Sequence, residues 1–325
     1  HGSVAPLCSN RYLALDDKAF VISSEILHLG PKEDGYKNPL RLSDYGFGQL
    51  IKDAISRGYK DISLCLGGTS TVGLGMGTAR ALGAVFTGKE GKVMNPPADM
   101  NETDAGLAFA DSRALYPENY TGISKVKWNK DAYKDIKITV INDGITRACD
   151  LDRVNPLKIG KSHQNIREEI LKGLEQAMES ICRLTGLNAD DPYSGNGGGI
   201  YFGLEKIFDS QYLKGAEYFC GLFGLDKMID EADLVITGEG RYDNPHLKKL
   251  PVTIADMAKA HGKRVIFVCG SREEKDIKAE SIDEIISCED HYRSRDIRAG
   301  YESDTQMYRE MTPVILRDKL KEAGL

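Results

Sequence analysis

The chain has no surplus of positive charge. Its 325 residues carry 43 Lys and Arg against 49 Asp and Glu, a net charge of -6 with a sequence pI near 5.7. That balance argues against nucleic acid or an anionic membrane as the main partner. No apolar run is long enough to span a bilayer. Paired cysteine spacing is missing as well: seven cysteines scatter over positions 8, 65, 149, 182, 220, 269 and 288, and Cys65 and Cys269 lie inside apolar strand patterns. Reduced, mostly buried thiols and a cytosolic setting are expected. Two phosphate-binding signatures are also absent. There is no full Gly-x-Gly-x-x-Gly dinucleotide fingerprint and no Gly-Lys-Ser or Gly-Lys-Thr of a P-loop. The remaining composition, 41% hydrophobic and 28% charged, is that of a globular protein with length for about two domains.

Against these absences stands a stretch rich in glycine, DISLCLGGTSTVGLGMGTARALGAVF, residues 61–86. Ile62, Leu64 and Leu66 alternate with Ser63 and Cys65, which reads as a short buried strand. Gly67 and Gly68 end it, Thr69, Ser70 and Thr71 form a polar turn, and Gly73, Gly75 and Gly77 lead into a helix over Thr78–Leu82. A strand, a glycine turn and a helix N-terminus direct free amides and a positive dipole end at one spot, which suits an anion. A tight structural turn satisfies the same pattern, and the motif alone does not separate the two.

Other segments alternate between strand and helix. Strands are expected at Phe20–Ile22, Asp135–Ile141, Asp233–Thr237, Arg264–Cys269 and Ile282–Ser287, with a short strand end at Ala148–Asp152. Helices are expected within 38–58, entered through Ser43 or Asp44, and over 164–185, 252–260 and 305–323. The 164–185 segment gives the clearest stripe: Ile166, Ile170, Leu171, Leu174, Ala177, Met178 and Ile181. This alternation predicts an α/β fold with a parallel sheet. Three glycine turns are read just past strand or segment ends: 67–77, 195–199 and 238–240. The last adds Glu239, Arg241 and Asp243 within five positions. Arg can brace a phosphoryl group or a carboxylate, and Asp or Glu can hold Mg²⁺ or take a hydroxyl proton. An Arg–Asp pair that only stiffens a loop fits the same residues.

The run LVITGEGRYDNPHLKKLPVTIADMAKAHGKRVIFVCG, residues 234–270, resembles the type I glycerate kinase family over its whole length. The opening glycine stretch is similar to that family's Gly-Gly-Ser-Ala-Thr-Asn-Asp-Gly-Gly motif. Asn38-Pro39 with Ser43, Tyr45-Gly46 and Gly48-Gln49-Leu50 matches a third motif; Ala148-Cys149-Asp150 with Asn155-Pro156-Leu157 matches a fourth, with extra residues inside it; and Gly195–Gly199 approximates a fifth, all in the family's order. The resemblance implies two α/β domains, one Rossmann-like, placed here at 1–190 and 191–325. It implies ATP and Mg²⁺ as cofactors and phosphorylation of D-glycerate or a related small hydroxy acid. By that resemblance Arg241, Asp243 and Glu239 would be catalytic, with Asp243 the metal ligand. Gly67, Gly68, Thr69, Ser70, Thr71, Gly197, Gly198, Gly238 and Gly240 would bind substrate or phosphate.

The chain also departs from the family. Its first residues align beyond the family's opening βαβ segment, whose Ser-Phe-Lys-Gly-Ser and Asp-Gly-Gly-Glu-Gly motifs it does not carry. Val72-Gly73 stands where the family has Asn-Asp, and no Phe-Gly-Pro-Gln-Lys-Gly follows Leu157. The alternative reading is therefore a degenerate kinase fold serving as a binding or interaction module. A third is another reaction on a small acid in the same fold. A homo-oligomer, or a complementing chain on an exposed sheet edge, is expected.

Overall fold

The computed structural model describes residues 12–27, 39–69, 71–94, 115–151, 164–242, 249–273, 278–293 and 304–322. The chain divides into two compact units, His1–Leu213 and Lys214–Leu325, and both are α/β.

In the first unit the strands are β1 (Leu13–Leu15), β2 (Lys18–Ile22), β3 (Asp61–Cys65), β4 (Val85–Gly88), β5 (Ile123–Lys127), β6 (Lys137–Ile141) and β7 (Ser210–Leu213). Its helices are α1 (Ser24–Leu27), α2 (Tyr45–Ser56), α3 (Met76–Ala81), α4 (Gln164–Thr185) and α5 (Asn196–Leu204). Five strands form one sheet in the order β1-β2-β3-β6-β7. β2, β3, β6 and β7 run parallel, and β1 is antiparallel at the edge. β4 and β5 pair separately.

Parallel strands packed on both faces must be apolar on both faces. The middle three residues of β3 and the last four of β6 are accordingly all buried. Phe47, Ile51 and Ala54 of α2 join that core, as do Met76 and Ala79 of α3, Ala177 and Ile181 of α4, and Ile200 and Phe202 of α5. Each such large side chain removed from water contributes about 1.5–3 kcal/mol. The α4 stripe falls where the periodicity puts it, with Ile170, Leu174, Ala177, Met178 and Ile181 buried. The segment 148–152, expected as a strand end, is a turn at Ala148 and Cys149. Its Ala148 amide is taken by Ser194 Oγ at 2.8 Å rather than by a neighbouring strand.

The second unit contains α6 (Gly215–Leu222), α7 (Leu225–Glu231), β8 (Leu234–Tyr242), α8 (Leu250–Ala260), β9 (Arg264–Arg272), β10 (Glu284–Ser287), α9 (Cys288–Arg293) and α10 (Asp304–Glu322). β8, β9 and β10 make a parallel sheet in the order β10-β9-β8, with α8 as the crossover between β8 and β9. This is the Rossmann-like domain. Val252, Ala255 and Ala258 of α8 lie in one buried cluster with Val235, Val265 and Phe267 of the sheet.

The division expected at 190/191 falls instead at 213/214. The reason is visible in the packing. β7 is hydrogen-bonded to β6, and the glycines of α5 lie against Leu66, Thr71 and Leu74. No helix among the described residues is long and apolar enough to cross a membrane. The six described cysteines are free thiols.

Candidate functional site

The parallel strands of the first unit deliver their carboxyl ends to one edge, where open α/β sheets collect ligands. After β3 the chain passes through Gly67 and Gly68. Ser23, just past β2, grips this point from both sides: its Oγ donates to the Gly67 carbonyl at 3.0 Å and accepts the Gly67 N–H at 3.1 Å. Both polar backbone atoms of Gly67 are thereby engaged. Gly67 and Gly68 are exposed and Thr69 is half-buried. Gly68 holds a positive φ of 65°, which favours glycine. A Cβ at Gly67 would meet nothing within 4 Å, so the backbone is open to an incoming group. Ser70 lies outside the described residues. From Thr71 onward the turn is buried. The Thr71 hydroxyl is enclosed without a hydrogen-bond partner, as is the side-chain carbonyl of Asn196 at the start of α5.

The helix that follows does not offer its N-terminus to a ligand. Asp44, the residue before α2, is fully buried, and its carboxylate accepts the Thr78 N–H at 2.6 Å and the Gly75 N–H at 3.1 Å. The Thr78 hydroxyl donates to the Asp44 main-chain carbonyl at 3.0 Å. The anion that the α3 dipole favours is therefore one of the protein's own. Burial pushes the Asp44 carboxyl up to about 6, against the pull of these amides. Sequence reasoning places Asp44 at the entry of α2, and it stands there, but its side chain makes no cap bond to that helix. It caps α3 instead, more than thirty residues along the chain, a contact that no spacing rule could reveal.

The same carboxylate bears on the substitution at position 73. A Cβ on Gly73 would lie 2.5 Å from an Asp44 carboxylate oxygen. The space of a side chain at 73 thus holds a carboxylate after all, supplied from position 44 and turned inward.

Gly197, Gly198 and Gly199 all have positive φ and pack beneath the turn. A Cβ on Gly198 would lie 1.7 Å from the Thr71 carbonyl oxygen. The Gly198 carbonyl accepts the Leu74 N–H at 3.1 Å, and Leu74 itself has a positive φ of 52°. Tyr120 closes the other side with a hydroxyl bond to the Gly73 carbonyl.

In the second unit, Gly238 to Arg241 do not form a turn. β8 runs on through Tyr242, with Gly238 paired to Val268 and Arg241 to Ser271 of β9. A Cβ on Gly238 would lie 1.9 Å from the Val268 carbonyl oxygen, so glycine is what lets the two strands close here. A Cβ on Gly240 would meet nothing within 4 Å. Glu239 pairs with Lys249 at 3.6 Å, and Arg241 with Glu273 at 3.3 Å across an exposed surface. Arg241, Ser271, Arg272, Glu273 and Glu289 line an open pocket of about 360 Å³ at this edge. Arg272 is held by Asp290 through Nη2 at 2.7 Å and Nε at 2.8 Å. Asp243 lies outside the described residues.

The sequence profile of the Glycerate kinase family matches residues 1–114 and 160–313, most of the chain. This chain belongs to the Glycerate kinase family. A glycerate kinase of Halalkalibacterium halodurans is 29% identical over 259 residues, covering 75% of this chain and 60% of that protein. The glycerate 2-kinase of Escherichia coli is 28% identical over 259 residues, with 75% and 60% covered. A crystal structure of a Salmonella typhimurium protein carrying the name glycerate kinase 2 superposes with a TM-score of 0.58 at 22% identity, over 83% of this chain and 68% of that one. That likeness establishes a shared fold. The chain spans about 60% of the length of these two curated family relatives.

Proposed function

We propose that this chain carries out phosphoryl transfer from ATP to a hydroxyl of D-glycerate or a related small hydroxy acid. The observation that carries this reading is the extent of the family match, which takes in both the glycine turn after β3 and the Gly-Glu-Gly-Arg segment of β8. Phosphoryl transfer asks for little covalent chemistry from protein and much positioning and charge neutralisation. The exposed backbone at Gly68, beside the half-buried Thr69, is suited to receive oxygens of an anionic group, with Gly67 fixed by Ser23 as its anchor. Arg241 is the cation for a phosphoryl or carboxylate oxygen, since its guanidinium is only loosely held by Glu273. Glu239 and Asp243 are the carboxylates for orienting the acceptor hydroxyl or taking its proton.

ATP would supply the phosphoryl group, and Mg²⁺ would neutralise its phosphates. No group of three or more His, Cys, Asp and Glu among the described residues is arranged to hold a metal. Mg²⁺ at a nucleotide keeps several waters and takes phosphate oxygens, so it needs only one or two carboxylates. Asp243, the carboxylate that the family resemblance offers for the metal, would meet that modest demand. We extend the same reading to a cytoplasmic setting and to an assembly with a second copy or a complementing chain.

The test is thermal melting with Mg-ATP, with D-glycerate and with both, followed by coupled turnover. A ligand at a hundred times its Kd adds about 2.7 kcal/mol of stability. Turnover of D-glycerate, with kcat/KM reduced about 10²-fold by Arg241→Ala, is the expected result. Unchanged activity in that variant would remove β8 from the site. Binding without turnover would favour the non-catalytic alternative.

A further inference from the structure

We propose that Asp44 is the positioning residue of the glycine turn. From the start of α2, its buried carboxylate holds residues 73–78 in the one conformation that leaves the Gly68 and Thr69 backbone ready for an anionic ligand. The ligand in this statement rests on the phosphoryl-transfer reading; the geometry does not.

Three independent features converge on Asp44. First, it forgoes the local use of its side chain. It precedes α2 and makes no cap bond there, while its two carboxylate oxygens and its carbonyl together make three bonds to Gly75 and Thr78. Second, the turn is shaped around it. A Cβ on Gly73 would sit 2.5 Å from Asp44 Oδ2, and one on Gly77 would sit 2.5 Å from Asp44 Oδ1. Neither glycine has a positive φ, so the backbone does not demand glycine at 73 or 77. At 73 the space occupied by the carboxylate does, and at 77 the carboxylate shares that role with Ser43 Oγ at 2.6 Å and the Tyr45 backbone nitrogen at 2.8 Å. Third, of the groups that fix the turn, Asp44 is the charged one. Ser23 holds Gly67, Tyr120 holds the Gly73 carbonyl and the Gly198 carbonyl holds Leu74, all through neutral groups. A buried charge that satisfies two amides is lost only with large consequences, because removing it orphans both donors. An internal anion at α3 also takes up the Gly75 and Thr78 amides, so these are not offered to a ligand.

The test compares the full chain with Asp44→Asn and Gly73→Ala. Asparagine keeps the shape but must turn an NH₂ toward one of the two amides. Alanine at 73 presses on the carboxylate from the other side, so the role of Asp44 can still be read should Asp44→Asn fold poorly. The first readout is amide hydrogen exchange without ligand. Protection at Gly75 and Thr78 should fall at least tenfold in either variant, while amides of β3 and β6 keep theirs. The second is titration with Mg-ATP and with D-glycerate. Kd for the ligand that the unaltered protein binds should rise at least tenfold, and KM should rise more than kcat falls. Unchanged protection at Gly75 and Thr78 overturns the proposal. So does reduced protection with unchanged Kd and KM, which would make Asp44 a folding residue alone. Should the unaltered chain bind neither ligand, the phosphoryl-transfer reading fails by itself, and exchange still decides whether Asp44 orders the turn. A double variant gives the last check: with Asp44→Ala in place, Gly73→Ala should cost nothing further, because the methyl group enters the vacated space.

Discussion

The two glycine-bearing segments are built on opposite plans. The turn after β3 is over-determined: Ser23, Asp44, Tyr120 and the α5 glycines each fix a different part of it, and nearly all of Thr71–Leu82 is buried. The Gly238–Arg241 segment of β8 is a strand whose Arg241 is held by a surface pair, of a kind that typically contributes about 0–1 kcal/mol, while Glu239 pairs with Lys249 in a partly buried setting. The first is precise because its backbone cannot go elsewhere.

The sharpest way to break the contrast is to add one methyl group to each segment. Gly198→Ala should destabilise the chain by about 3–5 kcal/mol, because overpacking and a left-handed backbone are penalised together. Gly240→Ala should change stability by less than about 0.5 kcal/mol, since nothing surrounds it. Denaturant midpoints for both variants measure the difference directly. Equal midpoints would mean that the close approach of Gly198 to Thr71 is relieved at no cost.

Next in size is Asp44→Ala, expected to cost about 2–4 kcal/mol for two orphaned amides and a cavity. The pH dependence sharpens it. A carboxyl raised from the ordinary range to about 6 stabilises most when protonated in the folded state. That contribution is complete below about pH 4, and it is lost as pH rises through about 6, amounting to roughly 3 kcal/mol. Asp44→Asn should flatten this part of the stability curve. A curve unchanged by the substitution would assign the pH dependence to other groups.

A smaller effect is expected in the second unit. The ring nitrogens of His261 contact Asp226 at 2.9 Å and Asp230 at 3.1 Å. Carboxylates only accept, so both contacts are satisfied together only by the imidazolium, and these bonds raise the His261 pKa. The tie between α7 and the end of α8 is therefore intact below the usual histidine range and is lost as pH rises through the elevated value. Imidazole NMR titration of the full chain, with His261→Gln for assignment, measures this. A His261 titrating at or below the ordinary value would show that the tie contributes nothing. Least of all should Arg241→Ala alter stability: a shift below about 0.5 kcal/mol, against a large loss of turnover, is the signature of a functional rather than structural cation.

These contrasts also explain what the sequence could tell. α4 runs over 164–185 as its stripe predicts, and β3 reads as a strand, because both depend on periodic burial that neighbours in sequence announce. The extension of β8 through Gly238 and Gly240 was hidden, since glycine signals a turn unless a partner strand is known to lie against it. β7 is four residues with mixed exposure, too short to declare from sequence its pairing with β6, which keeps it in the first compact unit. The reach of Asp44 to α3 was illegible for a plainer reason: it spans 31 to 34 residues and depends on the tertiary fold.

The shared space between positions 44 and 73 restricts how this protein can change over generations. A chain can put an acid in that space from α2 or a side chain there from the turn, but not both at once. Any lineage exchanging one arrangement for the other in single steps must pass through an intermediate that either crowds two groups into one site or leaves two buried amides unanswered. Both intermediates should be less stable than either end state, so the two positions are expected to vary as a pair, and a substitution harmless in one relative should be damaging when moved alone into another.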